Sequence, residues 1–320
     1  MRRLALSMTL VLAATPGLAN KVFVTNEKGN DVTVLDSETL EVIASFPAGN
    51  RPRGITISPD GKELYVCASD DDTVRVFDTT TYKETHTLPS GPDPELVVLH
   101  PTGNPLYIAN EDDNLVTVVD VVTHRMVAEI PVGVEPEGME VSPDGAMVVS
   151  TSETTNMAHF IDSTSFEIVA NVLVDQRPRY AQFSADGKLL FVTSEIGGTV
   201  SVIDVATKEV SHKITFGIPG VLPEAIQPVG LKITRDGSRI FVALGPSNRV
   251  AMIDGATFEV IDYLLVGQRV WQLAFTPDES LLFTTNGNSN DVSVIDVAEG
   301  TVIRSVQVGQ QPWGIVVAPD

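Results

Sequence analysis

The chain has 320 residues, of which 43% are hydrophobic, 20% charged and 6% aromatic, an ordinary balance for a protein with a large core. Its 42 acidic and 21 basic residues give a formal net charge of −21. This charge argues against a nucleic-acid partner, because contact with phosphates requires basic patches. The one cysteine, Cys67, excludes an internal disulfide and a cysteine-rich metal site.

The N-terminal segment has the pattern of a signal peptide. Arg2 and Arg3 precede an apolar run over residues 4–14, and small residues end at Ala19. We therefore predict a signal peptide over residues 1–19, a mature chain over residues 20–320 and a periplasmic location. No later apolar run approaches the length of a membrane span, so we expect no membrane insertion.

From residue 22 onward the same pattern returns seven times. Five of the six spacings are 42 residues, and an aspartate closes the second apolar run of every repeat. The repeats start at Val22, Leu64, Leu106, Val148, Leu190, Ile240 and Leu282. Such a period indicates a repeat architecture in which each copy is one supersecondary unit.

Each repeat contains four short runs rich in Val, Ile and Thr, separated by turn residues such as Ser58-Pro59-Asp60-Gly61. No window keeps an apolar stripe of period 3.6, so strands are favoured over helices. Four strands in roughly 40–45 residues is the size of a propeller blade. We predict an all-β, seven-bladed β-propeller of four-stranded antiparallel blades.

The phase of the repeat predicts how the ring closes. The Gly-x-x-Pro motif leads into the innermost strand of a blade, so the chain begins at a second strand and ends with an innermost strand. The C-terminal run over residues 312–317 is then expected to complete the sheet begun by residues 22–25. Closure by a C-terminal innermost strand leaves only short, protected sheet edges.

The repeats resemble a known family at this point. The runs Val22-Phe23-Val24-Thr25-Asn26 and Tyr107-Ile108-Ala109-Asn110, with the Gly-x-x-Pro-x-Gly motif, are similar to the YVTN family of β-propeller repeats over all seven copies. Length, signal peptide and the Asn26-Glu27-Lys28 start resemble its subgroup associated with pyrroloquinoline-quinone-dependent alcohol catabolism. The resemblance implies an exported accessory protein with a binding function. A dehydrogenase, a cytochrome or a transport component is the implied partner.

The sequence offers no motif that holds a cofactor. It lacks Cys-x-x-Cys-His, and two tryptophans are too few for the docking motifs of a quinoprotein dehydrogenase ring. The histidines show no metal-binding spacing, and Gly-x-Ser-x-Gly is absent. The hairpin clusters 70–72 and 111–114 are interpreted as solvated acidic turns rather than calcium sites. We therefore assign no catalytic residue, no metal and no cofactor.

The repeated aspartates and Cys67 are interpreted as structural. An aspartate before a Thr-containing turn, as in Asp36 to Thr39, accepts backbone N–H bonds and stabilises the turn. Cys67 has no histidine at a matching position to activate it and is interpreted as a core residue.

The residues around the Gly-x-x-Pro proline differ between repeats and therefore mark the candidate site. Framework positions repeat because every blade needs them, whereas a ligand without sevenfold symmetry requires different side chains. We predict that the ring brings these residues together at one end of its central channel. The candidate binding residues are Arg51, Arg53, Glu95, Glu137, Arg177, Arg179, Tyr180, Arg269, Trp271 and Trp313.

Two interpretations of these residues remain open. Guanidinium groups recognise carboxylates through bidentate bonds, and the aromatic rings offer stacking surface, so the set could bind an anionic small molecule or a partner protein. Alternatively, Arg53 with Glu95, and Glu137 with Arg179, could simply pair as neighbours. An insertion between Gly217 and Pro228 lengthens one loop beside the same end, as a lid, a docking loop or a neutral insertion.

The sequence therefore favours a non-enzymatic, exported binding propeller in a quinoprotein-linked alcohol catabolic system. One alternative is a lactonase- or lyase-type propeller with a metal at the channel mouth. Another is a subunit of a periplasmic redox complex that holds no cofactor of its own.

Overall fold

The computed structural model describes residues 20–319 and consists of 28 short strands arranged in seven four-stranded antiparallel sheets. The predicted seven-bladed propeller is confirmed. The predicted signal peptide and its cleavage after Ala19 lie outside the described residues.

The strands are numbered in chain order, and each blade is given from its innermost strand outward. The first four blades comprise β28 (Pro312–Val317), β1 (Lys21–Asn26), β2 (Asp31–Asp36) and β3 (Val42–Pro47); β4 (Pro52–Ile57), β5 (Glu63–Ala68), β6 (Thr73–Asp78) and β7 (Glu84–Pro89); β8 (Pro94–Leu99), β9 (Leu106–Asn110), β10 (Leu115–Asp120) and β11 (Arg125–Pro131); and β12 (Pro136–Val141), β13 (Met147–Ser152), β14 (Met157–Asp162) and β15 (Ile168–Leu173).

The last three blades follow the same order. They comprise β16 (Pro178–Phe183), β17 (Leu189–Ser194), β18 (Thr199–Asp204) and β19 (Glu209–Thr215); β20 (Leu231–Ile233), β21 (Arg239–Ala243), β22 (Arg249–Asp254) and β23 (Val260–Leu265); and β24 (Val270–Phe275), β25 (Leu281–Asn286), β26 (Asp291–Asp296) and β27 (Thr301–Gln307).

The ring closes as predicted, because the C-terminal strand β28 pairs with the N-terminal strand β1. Val22 lies opposite Val317 and Val24 opposite Ile315 in this antiparallel pair. The first blade therefore takes three strands from one end of the chain and its innermost strand from the other. This closure joins the two ends of the chain within one sheet.

The core lies between the blades. In β1, Val22, Phe23 and Val24 are all buried, so both faces of the strand pack against apolar neighbours. In the outermost strand β3, Val42 and Ile43 are exposed. The second strands consequently read as continuous apolar runs, whereas the outermost strands are more polar.

The repeated aspartates hold the turns after the third strand of each blade. Asp36 Oδ1 accepts hydrogen bonds from the backbone N–H groups of Glu38 and Thr39, at 3.0 and 2.8 Å. Asp78 does the same with Thr80 and Thr81, at 3.1 and 2.7 Å. The structure therefore gives these aspartates the turn-stabilising contacts that the repeat pattern predicts.

The insertion between Gly217 and Pro228 is anchored to the core. Ile218 and Ile226 are buried, and residues 223–225 form a short 3₁₀ helix, while Leu222 between them is exposed. The strand that follows, β20, has only three residues. The loop therefore has a fixed base and an exposed apolar tip.

Candidate functional site

The entrance of the central channel is built at the start of the innermost strands, where the chain departs from regular pairing. In β4 the register with β5 shifts between Pro52 and Ile55, and in β8 it shifts between Pro94 and Val97. A β-bulge removes a residue from the ladder and re-aims its side chain. The residues released in this way include Arg53 and Glu95, two of the predicted site residues.

Hydrogen bonds between neighbouring blades fix the backbone at the start of the innermost strands. The hydroxyl of Thr25 on β1 donates to the carbonyl of Arg53 on the next blade, at 2.8 Å. Thr285 donates to the carbonyl of Trp313 at 2.7 Å, and Thr151 to that of Pro178 at 3.1 Å. The threonine that recurs in the second strand therefore positions the entrance residue of the following blade.

The residue directly before the innermost strand is held in the left-handed region in most blades. Arg51, Arg177 and Arg269 have φ values of 50°, 60° and 58°. The N–H of Arg177 donates to Asn156 Oδ1 at 3.1 Å, and that of Arg269 to Asn248 Oδ1 at 2.9 Å. Six of the seven blades hold a non-glycine residue in this conformation, which directs the side chain toward the entrance.

Five charged side chains, from four innermost strands and one hairpin, form what we call the paired ring: Arg53, Glu95, Glu137, Glu153 and Arg179. Arg53 forms an ion pair with Glu95, and its second amino group lies 3.8 Å from Glu137. Arg179 pairs with Glu153 and lies 3.1 Å from Glu137. All five side chains are buried, so the ring is a buried charged network inside the channel.

The two tryptophans stack on guanidinium groups of the same region. The guanidinium carbon of Arg53 lies 4.5 Å from the ring centroid of Trp313, and that of Arg269 lies 4.3 Å from the centroid of Trp271. Both distances lie within the range of a cation–π interaction. Trp313 is buried by this contact, so its ring supports the paired ring and offers no free stacking surface.

Nearer to solvent, three arginines form what we call the outer group: Arg51, Arg177 and Arg269. Arg51 lies 2.8 Å from Glu95 and 3.0 Å from Asp93. The outer arginines of the later blades use other carboxylates of the entrance. Arg177 contacts Glu153 and Glu195 at 2.9 and 3.1 Å, and Arg269 contacts Glu195 at 2.9 Å. Every guanidinium group of the entrance is therefore already bonded to a carboxylate of the protein.

Burial and mutual contact shift the pKa values of these groups. Burial raises the pKa of Glu153 to about 7, against the opposing pull of Arg179. Burial likewise raises the pKa of Glu95 well above its usual range, although Arg53 pulls it down. Burial disfavours the charge on Arg179, but the surrounding carboxylates Glu137 and Glu153 raise its pKa overall.

The structure brings nine of the ten predicted site residues to the entrance. They are Arg51, Arg53, Glu95, Glu137, Arg177, Arg179, Arg269, Trp271 and Trp313. The tenth, Tyr180, lies further along the channel, where its hydroxyl oxygen accepts a hydrogen bond from Lys232 at 2.7 Å. The neighbour pairing that the sequence left open is present, and ligand binding by these residues stays a prediction.

The sequence interpretation missed four carboxylates that complete the entrance: Glu27, Glu111, Glu153 and Glu195. Each follows directly after the second strand of its blade, and the four positions keep the repeat spacing of 42 residues or its double. Glu111 had been assigned to a solvated turn. This shared position was the signal that could have identified them.

A metal at the channel mouth was one alternative from the sequence. Among residues 20–319, carboxylate oxygens of Asp93, Glu95 and Glu111 come within 4.8 Å of one another. One oxygen of Glu95 has no hydrogen-bond partner, but Arg51 and Arg53 bind the other. Two guanidinium groups thus compete for the oxygens that a cation would need, and the set is a poor fit to a metal ion.

Cys67 is buried in β5, which agrees with its interpretation as a core residue. Burial raises the pKa of its thiol well above its usual range. A thiol that stays protonated in an apolar environment is a poor nucleophile.

Three family profiles match parts of the chain. The cytochrome D1 haem domain matches residues 60–180, the seven-bladed β-propeller lactonase family residues 169–312, and the WD domain G-beta repeat residues 41–78. Each covers less than half of the chain, and together they support a β-propeller family. No curated protein matches the sequence.

Solved structures match over almost the entire chain at low sequence identity. Hydrazine synthase of Kuenenia stuttgartiensis has 21% identity and a TM-score of 0.80, covering 91% of this chain and 99% of its own. A dihydro-haem d1 dehydrogenase in complex with DHE has 16% identity and a TM-score of 0.71, covering 97% and 77%. A candidate 6-phosphogluconolactonase of Bacteroides fragilis has 17% identity and a TM-score of 0.81, covering 96% and 99%. These likenesses show the fold.

Over residues 20–319, the structure contains no helix with the length and apolar character of a membrane span.

Proposed function

We propose that this protein is an exported, non-enzymatic accessory propeller that binds a partner protein at its channel entrance. The N-terminal pattern from Arg2 to Ala19 supports export to the periplasm. The resemblance to propellers associated with quinoprotein-dependent alcohol catabolism supports a partner in such a system: a dehydrogenase, a cytochrome or a transport component. Similarity to hydrazine synthase and to a haem d1 dehydrogenase is compatible with a redox partner.

The observation that supports a protein partner is that the arginines of the entrance are already paired with carboxylates of the protein itself. A small anion would have to displace Glu95 from Arg51 and Arg53, or Glu153 and Glu195 from Arg177. A protein surface can instead engage the outer group without breaking these pairs. Arginine and aromatic residues are also enriched in protein interfaces.

Exposed apolar side chains surround the charged entrance and favour the same function. Ile196, 60% exposed, lines a recess together with Glu153 and Arg177. Leu222, 73% exposed, forms the tip of the anchored insertion. The insertion ends at Gln227, whose side-chain oxygen accepts a hydrogen bond from Arg269. Apolar residues beside a rigid polar surface provide the water-excluding contacts that a protein interface needs.

The test is a titration of the mature chain against the quinoprotein dehydrogenase and the cytochrome purified from the same periplasm. We expect binding to at least one of them, weakened at least tenfold by the double substitution Ile196→Asp and Leu222→Asp. Val122→Asp is the matched control, because Val122 is 75% exposed in the turn after β10, away from the entrance. Equal affinity of the double variant and the wild type would contradict the proposal.

The lactonase-type hydrolase is the second candidate, supported by the family match over residues 169–312. It predicts lactone hydrolysis and a large thermal stabilisation by calcium that a chelator reverses. The accessory role predicts neither effect. A thermal-shift titration with calcium, run beside a lactone hydrolysis assay on the same sample, therefore separates the two functions.

A further inference from the structure

The channel contains a cavity beyond the paired ring that plays no part in the proposed function. Its volume is about 170 Å³. It lies further along the innermost strands than the ring, and Leu96 and Leu273 contribute apolar walls. An engineered apolar cavity of roughly 150 Å³ holds benzene, so this space suits a ligand of about six to eight non-hydrogen atoms.

Besides the polar residues Thr56 and Gln272, three titratable side chains from three different blades line this cavity: Glu140 on β12, Tyr180 on β16 and Lys232 on β20. Lys232 donates one hydrogen bond to the hydroxyl oxygen of Tyr180, at 2.7 Å. An ammonium group has three donors, so two remain. Within residues 20–319, the carboxylate of Glu140 has no hydrogen bond or ion pair.

The same three groups are the titratable side chains that line the cavity. Burial raises the pKa of Glu140 to about 7, although Lys232 pulls it down. Burial opposes the charge of Lys232, but Tyr180 and Glu140 raise its pKa overall. Near neutral pH the cavity therefore holds one ammonium group and one carboxyl group that can be protonated and donate a hydrogen bond.

The paired ring separates this cavity from the entrance. Arg53 and Glu95 are buried, whereas Thr56 and Val98, three residues further along the same strands, are partly exposed. We therefore expect a ligand to reach the cavity from the end where the innermost strands finish. Binding here is thus independent of partner docking at the entrance, and either can fail without the other.

From this geometry we infer that the cavity binds a short aliphatic monocarboxylate. The carboxylate accepts hydrogen bonds from the ammonium group of Lys232 and from the protonated carboxyl group of Glu140. The alkyl chain packs against Leu96, Leu273 and Ile315. A small cavity that combines apolar walls with a few convergent polar groups is a common form of small-molecule site.

Valerate, with seven non-hydrogen atoms, is the probe, and binding is measured by ligand-observed NMR on the mature protein. We expect saturable binding to the wild type and at least tenfold weaker binding of 1-pentanol and pentylamine, which lack the negative charge. Lys232→Met keeps an unbranched side chain and removes the donor, and it should weaken valerate binding at least tenfold. Lys62→Met, at an exposed turn, is the matched control and should leave the affinity unchanged.

The pH dependence tests the role of Glu140. Valerate affinity should rise several-fold between pH 8 and pH 6 in the wild type, because Glu140 becomes protonated and stops repelling the ligand. Glu140→Gln should bind with an affinity that does not change over this range. Equal binding of valerate to the wild type and to Lys232→Met, or equal binding of valerate and pentylamine, would overturn the inference.

Discussion

The two ends of the channel handle charge in opposite ways. At the entrance, Arg53 and Arg179 are buried among Glu95, Glu137 and Glu153, and each guanidinium group is bonded to a carboxylate of the protein. At the other end, the charged groups lining the cavity are few: Lys232 donates to the hydroxyl oxygen of Tyr180, and within residues 20–319 Glu140 has no hydrogen bond or ion pair.

This difference teaches that the number of charged residues is a poor guide to a small-molecule site. Breaking a buried ion pair leaves an uncompensated charge, so the paired ring resists an incoming anion. A half-buried ammonium group with free donors can form additional hydrogen bonds to an incoming anion. The entrance, with its many paired charges, therefore suits a rigid docking surface, and the cavity, with few charges, suits a small ligand.

Removing the strand that closes the ring should have the largest effect on both ends of the channel. Deletion of residues 309–320 takes away β28, so the first blade loses its innermost strand and Arg53 loses the ring of Trp313. We expect the chain to misfold or its Tm to fall by more than about 10 °C. Deletion of Pro319 and Asp320 alone is the control, and calorimetry that finds the same Tm for both truncated chains would refute the closure.

Breaking the paired ring should cost less, but still much more than breaking an ion pair on the surface. Arg53→Ala removes one of the two guanidinium groups that bind the buried Glu95, and we expect a loss of about 3 kcal/mol of unfolding free energy. Lys188→Ala, which removes a solvent-exposed pair with Asp186, is the comparison and should leave stability unchanged. Denaturant unfolding measures both, and similar losses would mean that the ring is not a buried network.

The bonds that position the entrance residues should contribute a smaller amount. Thr285→Val removes the donor to the carbonyl of Trp313 and leaves that carbonyl buried, at a cost of about 1 kcal/mol. Thr257→Val, whose hydroxyl contacts an exposed turn aspartate, serves as control. If the two variants unfold at the same denaturant concentration, the bond between blades does not hold the entrance.

The response of stability to pH distinguishes the cavity from the entrance. Folding raises the pKa of Glu140 from 4.5 to about 7, so the folded state favours the protonated form. This contribution is complete at acid pH and is lost as the pH rises through 7. Tm measured from pH 5 to pH 8 should therefore decrease less in Glu140→Gln than in the wild type, and parallel curves would show that Glu140 is not buried as described.

Much of the fold was predictable because it repeats. Seven copies of one pattern fix the blade, and the phase of the Gly-x-x-Pro motif fixes the closure through β28. The positions of Arg53 and Trp313 at the entrance followed from that phase. The burial and ion pairing of those side chains could not be predicted in the same way, because they depend on which neighbours a closed ring brings together.

The cavity could not be found from the sequence for a related reason. Glu140 lies beyond the bulge of β12, and the pattern of a single strand does not show which side chains a closed ring brings to a common cavity. Glu140 and Lys232 occupy the same position of the repeat, 92 residues apart, but the other repeats carry uncharged residues there, so the position shows no charge pattern: Thr56, Val98, Gln182, Ala274 and Val316. Tyr180 was selected as an entrance residue for its aromatic ring, although the strand carries it to the other end.

The most direct test of the account is a double-mutant cycle between Arg53 and Glu95, which lie 42 residues apart on the innermost strands of neighbouring blades. Arg53→Met and Glu95→Gln, measured singly and together by denaturant unfolding, give the coupling free energy of the pair. A buried, mutually satisfied ring predicts a coupling of about 1.5 kcal/mol or more. Strictly additive effects would show that the two side chains do not meet and that the entrance is not built as described.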